Sequence, residues 1–133
     1  MADRYSGPDA IKALIERPDL ANLLIDAVKR SNGRTTFEIV LQELLQDKAN
    51  LWIRKNSVIT TQTVLYQTGA RWLTVRMGAG HMKTLQAMMP ALEAYAKEIE
   101  LDGVEGLARP GWSRVGKRLG YEETHRFLEK RFT

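Results

Sequence analysis

Residues 51–99 decide the fold: LWIRKNSVITTQTVLYQTGARWLTVRMGAGHMKTLQAMMPALEAYAKEI. The first part of this stretch is rich in β-branched and aromatic residues and divides into 51–54, 58–67 and 71–77. Such residues suit a pleated, half-buried surface, so three strands are predicted. Lys55-Asn56-Ser57 and Thr68-Gly69-Ala70 are short turn sequences between them, which makes an antiparallel meander the natural pairing. Gly78-Ala79-Gly80 ends the third strand. The period then changes, because Leu85, Met88, Met89, Leu92, Ala96 and Ile99 recur at helical spacing and predict a helix with its methionines as core filling. Pro90 inside this helix predicts a kink or an open turn, since proline supplies no N–H to the preceding turn.

Working outward toward the N-terminus, Pro8-Asp9 opens a short helical pattern that ends at Glu16. Pro18 suits a first helical position, and Leu20, Leu23, Leu24, Ala27 and Val28 carry that helix to about Arg30, where Ser31-Asn32-Gly33 stops it. Thr35 or Thr36 caps a third helix with the apolar stripe Phe37, Val40, Leu41, Leu44 and Leu45. No strand is expected before residue 35. Toward the C-terminus, residues 103–108 read as a short strand, 110–119 as a short helix and 121–132 as a last, long strand. A strand-helix-strand return within one sheet needs a parallel crossover, so 72–77 and 103–108 should lie side by side. The 133 residues thus suit one α/β domain with a mixed sheet: a helical N-terminal extension over 1–34 and a core over 35–133.

Composition narrows the function. With 44% hydrophobic and 27% charged residues, 10 Gly and 4 Pro, the chain has globular composition. No window approaches 18 uninterrupted apolar residues, and Asp3, Arg4, Asp9, Lys12, Glu16, Arg17 and Asp19 crowd the start, so neither a membrane span nor a secretory signal is predicted. A cytoplasmic or particle-borne location follows as an expectation. There is no cysteine, which removes disulfides, thiolate ligands and thiol nucleophiles; the two histidines, His81 and His125, are 44 positions apart, and no metal site is predicted.

The net charge of +4 is uneven: residues 1–50 hold 7 Lys/Arg against 8 Asp/Glu, and residues 51–133 hold 13 against 8. No acid stands between Asp47 and Glu93, an interval that contains Lys48, Arg54, Lys55, Arg71, Arg76 and Lys83. A second acid-free stretch, 107–121, contains Arg109, Arg114, Lys117 and Arg118. These cations either attract phosphates, nucleic acid or an acidic protein surface, or simply solvate the fold.

From residue 35 to 132 the element order resembles the GNAT family of N-acetyltransferases, with Gly78-Ala79-Gly80 in the place of that family's acyl-CoA pyrophosphate loop and Lys117-Arg118-Leu119-Gly120-Tyr121-Glu122 similar to the ending of its last helix. More narrowly, Leu51-Trp52-Ile53, Leu92-Glu93-Ala94-Tyr95-Ala96, Arg109-Pro110-Gly111-Trp112 and Leu119-Gly120-Tyr121 resemble small GNAT-like proteins of tailed bacteriophages. The resemblance implies that backbone N–H groups of Gly78, Ala79, Gly80 and His81 face phosphate oxygens, with Arg76 and Lys83 neutralising them. It also implies a gap for a pantetheine arm between 73–77 and 104–108. Three departures weigh against catalysis: the approach Val75-Arg76-Met77-Gly78 is compressed, Gly116 stands where the family often has a tyrosine acid, and Arg109 and Trp112 replace an Asn and a small residue.

A proton acceptor is the harder requirement, since amine acylation needs one and the interval 48–92 has no carboxylate. His81 and Tyr66 are the candidates there, against the alternatives of a polar helix cap and a strand aromatic. Trp52 and Trp72 read as packing residues, whereas Trp112, beside Arg109 and Arg114, reads as a partner anchor or a cover for the sheet end. Three readings stay open. The first is a non-catalytic GNAT-like phage protein that acts in the virion or its assembly through other virion proteins or a second copy of itself, with Arg109, Trp112, Arg114, Lys117 and Arg118 as the contact surface and no cofactor. The second is an acetyl-CoA-dependent N-acyltransferase. The third is a basic module that binds nucleic acid or a host protein.

Overall fold

The computed structural model describes residues 1–108, 111–125 and 128–132. Its order is β1 (Asp3–Tyr5), α1 (Gly7–Glu16), α2 (Pro18–Lys29), α3 (Phe37–Leu45), β2 (Asn50–Arg54), β3 (Ser57–Leu65), β4 (Arg71–Ala79), α4 (Met82–Glu98), β5 (Gly103–Gly106) and α5 (Gly111–Arg118). The five strands form one sheet in the order β1-β2-β3-β4-β5. β1 to β4 pair antiparallel, and β5 returns parallel to β4 after the α4 crossover. The expected meander and parallel crossover are both present.

Alternation along the strands assigns one set of side chains to each face of the sheet. On one side Leu51, Ile53, Val58 and Ala79 pack with Ala10, Leu14, Leu20, Leu24, Val40 and Leu44 of α1 to α3. On the other, Trp52, Ile59 and Leu73 pack with Leu85, Met88, Met89 and Leu92 of α4, and Trp112 and Tyr121 lie against the same cluster. α4 runs without interruption through Pro90, which is exposed.

Two elements depart from the sequence reading. A strand precedes residue 35: Asp3, Arg4 and Tyr5 pair with Ile53, Trp52 and Leu51. Three residues are too few to show a period. What fixes them is side-chain chemistry, with Arg4 4.5 Å above the Tyr95 ring and donating to Asn50 Oδ1 at 3.2 Å. The second departure is the tail: residues 121–125 and 128–132 form no strand. Their side chains return to the α2–α3 turn instead. Asn32 donates to Glu129 at 3.0 Å, Arg34 pairs with Glu129 at 3.2 Å, and Arg131 donates to the Asn32 carbonyl at 3.0 Å. Leu128 and Phe132 are about nine-tenths exposed, so among the described residues after Tyr121 no buried face sets a strand register.

Candidate functional site

The geometry of the site begins with an irregularity in β4. Thr60 pairs with Met77 but its neighbour Thr61 pairs with Val75, which leaves Arg76 as an extra residue in the ladder. This is a β-bulge, and it resets which face each following side chain takes. β5 pairs with β4 only from Trp72 to Val75, opposite Gly103 to Gly106. The β4–β5 ladder therefore ends at the bulge. Over Leu73 to Val75 and Val104 to Gly106 the gap expected between 73–77 and 104–108 is absent, because these positions are ladder partners.

Gly78 and Ala79 belong to β4, paired with Ile59 and Val58, and Ala79 is buried. The turn itself is Gly80, with φ +128°, followed by His81 as the N-terminal cap residue of α4. A side chain at residue 80 would stand 2.3 Å from Ser57 Oγ, so glycine is required there by contact as well as by φ. Ser57 Oγ accepts from the His81 N–H at 3.0 Å and so fastens the turn. Beyond it, the N–H groups of Met82, Lys83 and Thr84 open from the helix start with no intrahelical acceptor, and the first turn holds no acid. Lys83 and His81 are exposed beside them. Arg76 is not with this group: its Nε donates to Gln62 Oε1 at 2.6 Å, and Gln62 donates in turn to Glu43 of α3, which places Arg76 on the α1–α3 side of the sheet.

On that same side lies a carboxylate from outside the acid-free interval 48–92. Thr74 and Glu105 are register partners across β4 and β5, and Glu105 Oε2 accepts from Thr74 Oγ1 at 3.2 Å and from the Tyr66 hydroxyl at 2.5 Å. The Tyr66 pKa is raised, chiefly by this hydrogen bond to Glu105, while the Arg76 charge pulls the other way. Tyr66 is thus a protonated donor, and Glu105 is the acceptor. The signal was present in the parallel pairing expected of 72–77 with 103–108, which brings an acid from outside the acid-free interval to the side of Thr74.

The remaining candidates are dispersed. Arg109 lies outside the described residues. Trp112 rests partly buried against the α4-side core, while Arg114, Lys117 and Arg118 are exposed on α5. Gly116 approaches Tyr121, whose hydroxyl donates to Glu93 at 2.7 Å and clasps α5 to α4. Burial first, and then the Glu93 carboxylate, push the Tyr121 phenol pKa strongly upward. His125 is exposed beside Thr124. Among the described residues no three His, Asp or Glu side chains gather as a metal site, and no helix is long and apolar enough to cross a membrane.

Solved structures share this arrangement over nearly the whole chain. A ribosomal-protein-alanine N-acetyltransferase from Brucella melitensis biovar Abortus is 16% identical, with a TM-score of 0.64 and 99% of each chain covered. A predicted acetyltransferase with acetyl-CoA from Clostridium acetobutylicum is 13% identical, with a TM-score of 0.65, covering 98% of this chain and 96% of its own. This is a GNAT-like fold. An aminoglycoside N-acetyltransferase in complex with CoA, 14% identical, agrees at a TM-score of 0.67, covering 99% of this chain and 95% of its own. No family model and no curated protein sequence matches the chain. Within this fold β1 pairs with β2, and α1 and α2 contribute Ala10, Leu14, Leu20 and Leu24 to the core.

Proposed function

We propose that the protein is an acetyl-CoA-dependent N-acyltransferase. The observation that carries this reading is the end of the β4–β5 ladder at the Arg76 bulge, with the uncapped first turn of α4 at the end of β4 and Glu105 one residue before the ladder ends. The solved acetyltransferases of the same fold, one holding acetyl-CoA and one CoA, favour it over a non-catalytic virion role. The residues suit such a donor. The amides of Met82, Lys83 and Thr84, together with Lys83, suit a pyrophosphate, no acid opposes it, and the glycine turn allows close approach. Acetyl-CoA would supply the activated acyl thioester, whose sulfur leaves as the CoA thiol with the second proton lost by the attacking amine. Glu105 then accepts the proton that an ammonium acceptor must shed before its nitrogen attacks, through Oε1, which neither Tyr66 nor Thr74 occupies. Those two hydroxyls hold the carboxylate in place.

Calorimetric titration with acetyl-CoA tests the reading. A micromolar Kd is expected, and acetyl transfer to a primary amine should fall about 10²- to 10⁴-fold in Glu105→Gln with acetyl-CoA binding retained. A folded protein that binds no acetyl-CoA would overturn the proposal and return attention to protein partners.

A further inference from the structure

Arg76 is held, but only by one nitrogen. Its Nε donates to Gln62 Oε1, Gln62 is anchored by Glu43, and the two terminal nitrogens make no bond with another described residue. Position matters as much as the free fork. As the extra residue of the bulge, Arg76 stands where β4 leaves β5, two residues from Thr74, whose register partner is Glu105. The separation is roughly 7 Å along β4 and about 4.8 Å across to β5. The surface between them is polar and reached by solvent: Gln62, Thr74 and Glu105 are half-buried, Arg76 is exposed and Tyr66 is 42% exposed. An ion pair between Arg76 and Glu105 would consume both charges. Instead each is tied to its own uncharged partners, Gln62 for one and Tyr66 with Thr74 for the other.

Two opposite charges held apart across an open polar floor match a ligand that carries the same two charges in reverse. A guanidinium fork meets a carboxylate through two parallel N–H bonds, and a carboxylate acceptor suits an ammonium. We infer that Arg76 is the specificity-determining residue of the acceptor site, and that the acceptor is a small amino acid whose carboxylate lies on Arg76 while its amine lies at Glu105. The inference rests on the acyltransferase reading for the fate of the amine, but the recognition itself needs no acetyl-CoA.

The experiment uses the full chain and the probes β-alanine, 4-aminobutyrate and 5-aminopentanoate, each beside its own carboxamide. Binding is measured by calorimetry without acetyl-CoA, and acetylation is measured separately with it. At least one acid should bind tenfold or more tightly than its amide, and Arg76→Met should erase that preference. In acetylation, Arg76→Met should raise KM for the acid with little change in kcat, and acetyl-CoA binding should stay as in the native protein. Arg76→Lys should recover part of the preference, since it restores the charge without the fork. Gln62→Leu should weaken acid binding by freeing Arg76 from its anchor, a change that a merely structural Arg76 would not produce.

Equal binding of acids and amides across the series, or a preference for the amides, would overturn the inference. Acid preference in a protein that binds no acetyl-CoA would leave the inference standing and sink the acyltransferase reading. Transfer to amines with no acid preference would do the reverse.

Discussion

The role proposed for Glu105 depends on where two hydroxyls meet it. Tyr66 and Thr74 converge on the same oxygen, so the carboxylate is oriented by neighbours on β4 and on the β3–β4 turn. Its sequence distance from them hid it: the acid lies 31 residues beyond Thr74, and only the parallel register makes them neighbours. Arg76 was legible as a cation near the loop, but its direction was not, because a bulge cannot be read from alternation alone. Tyr121 offers a sharper test of a single residue. Its phenol pKa is raised by burial and then by Glu93, so the fold favours the protonated form. Tyr121→Phe should destabilise by about 1–2 kcal/mol at pH 7, through loss of a half-buried hydrogen bond to a carboxylate. The raised pKa sets the sign with pH: the hydroxyl's contribution is full below about pH 10, where the unfolded phenol begins to ionise, and declines as pH rises further. Denaturant midpoints of the two proteins should therefore converge above pH 10. A constant difference across that range would show that the Glu93 bond does not hold the phenol.

At the scale of elements, the strands that the sequence revealed are those with a buried face. β2, β3 and β4 announce themselves through long β-branched runs, whereas β1 has three residues and depends on Arg4 meeting Tyr95 and Asn50. The tail beyond Tyr121 has the opposite character, with a strand-like sequence but, among the described residues, no face to bury. Between β4 and α4, Gly80 decides whether the helix starts in register with the sheet. Its left-handed φ and its contact with Ser57 act together. Gly80→Ala should cost about 3 kcal/mol, from backbone strain and overpacking combined. Ser57→Ala in the same chain should not rescue it, because the added Cβ would still lie 2.7 Å from the Ser57 Cα. Chemical denaturation of the single and double variants checks this. Recovery in the double variant would mean that the hydroxyl alone, and not the backbone approach, demands glycine.

Taken as a molecule, the sheet separates two helical layers that meet different parts of the chemistry. α4 lies on one side and offers its N-terminus at the end of β4, while α1 to α3 lie on the other, where Gln62, Thr74 and Glu105 are half-buried. The donor site proposed at α4 and the acceptor face proposed at Glu105 are joined where the β4–β5 ladder ends at the bulge. Binding there should consequently stabilise the whole fold rather than one loop, because α4, the Gly80 turn and β4 carry core residues of both layers. With acetyl-CoA at 100 times its Kd, the linkage gives about 2.7 kcal/mol, which for a chain of this length raises Tm by roughly 10 °C. The rise should appear with CoA as well, since the phosphates and pantetheine arm make the proposed contacts, and it should shrink in Lys83→Glu, which sets an acid against the pyrophosphate at the helix start. A Tm that moves with neither ligand, in a protein that melts cooperatively, would mean that the start of α4 is a structural joint and nothing more.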